Sequence, residues 1–107
     1  MISFQEFKKV QMKVGRVVAV EDHPNADKLM IIRADVGEES PRTLVAGLKG
    51  YYGADQLQGK LIVVVTNLEP ARLRGVESTG MLLAAQEADK IVLLTLDGDI
   101  SPGSPVL

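Results

Sequence analysis

With 107 residues, the chain has the size of one domain spanning its whole length and can bury a core without covalent staples. Hydrophobic residues make up 46% and charged residues 24%, and the absence of cysteine excludes a disulfide framework and any thiolate metal site. No apolar run nears the ~18 residues of a membrane helix, and a net charge of −2 argues against nucleic acid by bulk alone.

The opening "SFQEFKKV" predicts one or two helical turns, with Ser3 as N-cap and Glu6 completing a capping box. In "VQMKVGRVVAVED", Val10, Met12, Val14, Val18 and Val20 recur at period two, which predicts a half-buried strand with a bend or bulge at Gly15. Leu29–Val36 reads as a second strand and Arg42–Gly47 as a third, joined through "GEESP" as a hairpin. "ADQLQG" predicts a short helix ended by Gly59. Lys60–Leu68 is dense in β-branched residues and predicts a fourth strand, "MLLAAQ" a fifth and "IVLLTL" a sixth. The turn-rich tail "DGDISPGSPVL" is either a frayed end or a strap across the barrel.

Three strands, a helix and two strands is the chain order of the OB-fold, so an all-β, five-stranded Greek-key barrel with an extra C-terminal strand is expected. Such barrels bind ligand on strands two and three and on two loops, here Glu21–Lys28 and Asn67–Gly80, both longer than a hairpin needs. In the first loop, Asn25 and Asp27 either make the turn or meet ligand, and Lys28 marks re-entry into the barrel. His23, the only histidine, lacks partners for a metal site and reads as a loop residue. In the second loop, an extended stretch would project Arg72 and Arg74 to one side, suited to phosphates, while Leu73 anchors it. Ser78 and Met81 read either as framework or as ligand contacts. Five cations lie from Arg42 to Arg74 (Arg42, Lys49, Lys60, Arg72, Arg74) against Asp55 and Glu69, whereas Glu87–Asp99 holds four acids and Lys90. Composition leaves open whether this is chance or a basic face on an acidic body. No nucleophile elbow, phosphate-cradling loop, HExxH or dinucleotide motif is present, which points to a binding module with no cofactor and no metal.

"HPNADKL", "RTLVAGL", "GYYGADQLQGK", "VVVTNLEPARLRGVESTGMLLAA" and "PGSPVL" together resemble the tRNA-binding domain family, over about residues 4 to 107. That family includes the C-terminal appendix of methionyl-tRNA synthetase and free-standing structure-specific tRNA-binding proteins. The resemblance implies an OB-fold that recognises tRNA by shape without chemistry, as a homodimer, alone or with a synthetase body; the absence of cysteine points to a reducing cytoplasm. It carries tRNA contact onto Asn25, Lys28, Arg42, Asn67, Arg72, Arg74, Ser78 and Met81. Glu69 departs from relatives that often carry lysine there, which implies weaker or more salt-sensitive binding. A secretion-chaperone relative that binds polypeptide is the alternative. "KIVLLTL" lies beyond the five barrel strands and would leave an apolar edge, which a two-fold partner would cover around Leu94.

Overall fold

The computed structural model describes residues 1–107. Its spine is β1 (Met12–Asp22), long enough to serve two neighbours. The first half pairs antiparallel with β4 (Leu61–Val65) and the second half with β2 (Met30–Asp35). Beyond β2 lies β3 (Arg42–Ala46), and beyond β4 lies β7 (Met81–Leu82), giving the order β3-β2-β1-β4-β7. Two short helices, α1 (Phe4–Phe7) and α2 (Ala54–Leu57), complete the early half of the chain. The result is the expected all-β, nearly closed antiparallel barrel of OB type.

Val17, Ile32, Ala34, Leu44, Ile62 and Val64 fill the barrel, each almost fully buried. Leu57 of α2 joins this cluster. Gly15 is a spacing device, not a bend: a Cβ there would stand 2.9 Å from Val64 Cγ2 and 3.3 Å from Val36 Cγ1. The bulge lies instead at Val18, where the register slips between Val17↔Ala34 and Ala19↔Arg33. This slip exposes Val18 and turns Val20 toward the core, so the five period-two residues do not share a face. Val14 is buried outside that core cluster, where the tail covers it. Val14 N–H donates to Ser104 O and Gly103 N–H to Val14 O, both at 2.8 Å, and β10 (Pro105–Val106) pairs with β1. The tail is therefore a strap.

"MLLAAQ" divides. β7 stays in the barrel, while β8 (Ala84–Glu87) leaves it to pair with β9 (Lys90–Leu93) in a hairpin of its own. The apolar strand "KIVLLTL" is thus covered by its own chain: β8 takes its edge and Leu93 enters the core. Leu94, 40% exposed, bonds back to Leu83 O at 3.0 Å. Val92 and Leu94 stay exposed, so β8 covers one edge of this strand without burying its outer face.

Candidate nucleic-acid interface

The stretch after β4 is not an open loop. β5 (Ala71–Leu73) and β6 (Val76–Ser78) form a hairpin closed by two residues, Arg74 and Gly75, with φ of 53° and 90°. Positive φ at both positions is the type I′ geometry, which matches the strand twist but strains a residue bearing a Cβ. Arg72 and Arg74 therefore do not continue one extended run. Arg72 lies opposite Glu77 and donates from Nη1 to Gly75 O at 2.8 Å, bracing the turn, whereas Arg74 stands at the tip.

The hairpin lies against β3, and its return closes the barrel. Thr79 N–H donates to Thr43 O at 2.9 Å, and Ser78 Oγ takes the N–H of Val45 at 3.1 Å while donating to Gly80 O at 2.9 Å. Ser78 is 3% exposed and does the work of a missing strand carbonyl. Gly80 fits where a Cβ would stand 2.9 Å from Val65 O. Met81 is half-buried against the core.

The two elaborate loops meet. His23 is 3% exposed and sits between them. Its Nδ1 accepts the N–H of Asn25 at 3.0 Å, so the ring proton is on Nε2, which donates to Leu73 O at 3.0 Å. The histidine that looked like a plain loop residue fastens the first loop to the hairpin. Across this junction Arg74 lines one groove with Ala26, Asp27, Lys28 and Leu29. Lys28 and Arg74 are both exposed and neither has an ion-pair partner within 4 Å, and the Asn25 side chain is exposed beside them.

Other expected contacts are spoken for. Asn67 accepts Gln11 N–H at 2.8 Å and donates to Lys9 O at 2.6 Å, pinning the N-terminal segment. Arg42 meets both oxygens of Glu38 at 2.8 Å and two backbone carbonyls. Its hydrogen bond holds the Glu38 carboxyl below the ordinary carboxylate range, and Glu38 in turn raises the Arg42 guanidinium. Lys49 pairs with Asp22 at 3.5 Å. Sequence reasoning missed Arg33, exposed and without an ion pair on the outer face of β2. Its signal was the alternation in "IIRAD", where the one charge between Ile32 and Ala34 must point outward.

A family model described as "Putative tRNA binding domain" matches residues 12–105. The chain belongs to the tRNA-binding domain family. It is 51% identical, over 98% of its length, to methionine–tRNA ligase of Pyrococcus furiosus, and 48% identical to that of Thermotoga maritima. It spans 14% and 16% of those proteins, so the match is to one part of an enzyme. Among solved structures, a MetRS-related protein of Pyrococcus horikoshii superposes with a TM-score of 0.92 at 35% identity, covering 100% of this chain and 98% of that one. The chaperone CsaA of Bacillus anthracis superposes at 0.89 with 27% identity, covering 100% and 99%.

Proposed function

We propose that this chain reads folded tRNA through its sugar-phosphate surface, does no chemistry, and works in the cytoplasm as a homodimer, alone or as part of a methionyl-tRNA synthetase. The observation that carries the reading is the groove at the loop junction, where Lys28 and Arg74 come from separate loops and outnumber Asp27, neither in an ion pair, with His23 locking the loops together. Duplex RNA hides its base edges in a deep, narrow groove, so phosphate, 2′-OH and shape are what a small basic lip can read. Arg33, exposed on the outer face of β2 and without an ion pair, adds a further cation outside that groove. Arg72, Asn67, Ser78 and Arg42 serve by shaping the lip, with Asn25 and Met81 beside it. Net charge does not forbid this, because screening over ~8–10 Å leaves the local face to decide.

For the dimer, the supporting surface is at the termini. α1 buries none of its residues, and Phe4, Phe7 and Val10 are exposed at 69%, 39% and 44%. Together with Met12, Val106 and Leu107 they line one apolar groove. A contiguous apolar patch of this kind suits a two-fold copy.

Likeness to a chaperone over the whole chain favours polypeptide binding as the second reading. Filter binding of total tRNA at low and moderate salt, with duplex DNA, single-stranded RNA and an unfolded polypeptide as competitors, tests both. Saturable tRNA binding that weakens steeply with salt and resists the competitors supports the reading. Displacement by the polypeptide, or no binding at low salt, refutes it.

A further inference from the structure

Arg42 is placed to do something other than meet phosphate. Its Nη1 donates at once to Thr66 O at 2.6 Å and Thr79 O at 2.7 Å. Thr66 is where the chain leaves β4, and Thr79 is where it returns toward β7, so one nitrogen bridges both feet of the segment that carries Arg74. The other edge of the guanidinium meets Glu38 fork to fork, Nε and Nη2 each at 2.8 Å. That pairing leaves one of five N–H groups free.

We propose that Arg42, held by Glu38, is a positioning residue that ties the feet of the β4–β7 excursion together and so aims the β5–β6 hairpin at the first loop. Arg42 then sets RNA affinity through the hairpin and does not touch the RNA itself; this rests on the tRNA-binding reading above. Two features speak against direct phosphate contact. The Glu38 carboxylate cancels the charge, and its side chain, 38% exposed against 22% for Arg42, is the more exposed of the two, so an approaching anion meets an acid. Lysine could not replace the arginine, because a point ammonium cannot serve a carboxylate fork and two carbonyls in one plane.

The rival account, in which phosphate displaces Glu38 and captures Arg42, makes the opposite prediction for one substitution. Removing the competing carboxylate by Glu38→Gln would free the guanidinium and tighten binding; it would also raise the net charge by one, which favours RNA in any case. A clamp weakened by the same change lets the hairpin swing and lowers affinity despite the added charge. The experiment titrates total tRNA over a salt series with the full chain carrying Glu38→Gln or Arg42→Gln, and follows amide hydrogen exchange of residues 67–79 in the same proteins without RNA. Expected are binding about tenfold weaker for each, the factor equivalent to about 1.4 kcal/mol, an unchanged salt slope, and faster exchange in 67–79 with β1 and β4 unaltered. Tighter binding by Glu38→Gln, or a salt slope reduced by about one in Arg42→Gln, would overturn the clamp, and the reduced slope would assign Arg42 to phosphate. Should Arg42→Gln fail to fold, the sign of the Glu38→Gln effect decides alone. Should the parent bind no tRNA, the functional reading fails, yet unaltered exchange in 67–79 would still overturn the clamp and accelerated exchange would uphold it.

Discussion

Replacing Arg74 with asparagine separates stability from binding, because the two depend on different parts of the residue. The backbone of Arg74 sits at a φ of 53° in a two-residue turn before Gly75. A residue with a Cβ pays roughly 1–2 kcal/mol there, and asparagine tolerates the region several-fold better than most residues. An Asn-Gly turn is the favoured type I′ pair. The substitution should therefore return ~0.5–1 kcal/mol, which raises Tm by about 2–8 °C for a domain of this size. The side chain, by contrast, supplies one unpaired cation to the groove with Lys28. Losing one phosphate contact lowers the slope of log K against log salt by about one. Between about 50 and about 200 mM salt the affinities of parent and variant should then converge by about fourfold, with the variant the weaker at the low end. Calorimetric melting and filter binding on the same preparations measure both. A higher Tm with unchanged affinity and slope would refute the phosphate assignment, and a lower Tm would refute the account of the turn.

His23→Ala removes the fastening between the loops, two hydrogen bonds at 3.0 Å; a loss of about 1–3 kcal/mol by urea unfolding is expected. Nitrogen-15 NMR of the parent imidazole should report the Nε2–H tautomer, and finding Nδ1–H would contradict the latch. Ser78→Ala leaves the Val45 N–H without its partner in a buried place, so a comparable loss of about 1–3 kcal/mol should appear in the melting curve; an unchanged melt would show that another group takes the bond. Phe4→Asp should give monomers by light scattering, whereas Leu94→Asp should leave the mass unaltered; the reverse pattern would move the interface to the β8–β9 hairpin.

What the sequence discloses here is order, and what it conceals is pairing at a distance. The run of β-branched residues in "LIVVV" and the alternation in "MIIRAD" reveal strands because burial acts on each residue where it stands. The OB order followed from those strands. The bulge at Val18 left no such mark, since a register slip depends on β2, a partner strand. "MLLAAQ" reads as one strand because each half is compatible with a strand; only the break at Leu83 sends them to different sheets. The hairpin in the second loop was legible in principle. Leu73 and Val76 flank two residues, the spacing of a tight turn, but arginine at positive φ is uncommon enough to hide it. Asn67 looks like a ligand because its partners, Lys9 and Gln11, lie 58 and 56 residues away. Arg42 and Glu38 are four apart, but across a hairpin turn, where no helical rule announces the contact.

The stretch that carries the family resemblance, "NLEPARLRGVESTGM", thus has mostly framework duties. Asn67 pins the N-terminal segment, Arg72 braces the turn, Ser78 closes the barrel against β3, and Gly80 admits the close approach to Val65. These are tasks of exact placement, and each is met by backbone bonds that a substitution would leave open or by a contact with no room for a Cβ. The proposed reading leaves chemistry toward the ligand to few side chains, Lys28, Arg33 and Arg74 above all, which have no ion-pair partner within 4 Å. A barrel fixed by such bonds has a shape set apart from its exposed cations, and the chaperone CsaA shares that shape over the whole chain. It also explains how an acidic body can present a basic lip. One acid, Asp27, lines the groove beside Lys28 and Arg74, and near the lip Arg42 and Lys49 are already neutralised by Glu38 and Asp22. On the proposed reading, recognition rests on how stiffly two loops are held at one separation, by His23 and by the Arg42–Glu38 pair, a property of specific hydrogen bonds that neither composition nor net charge can express.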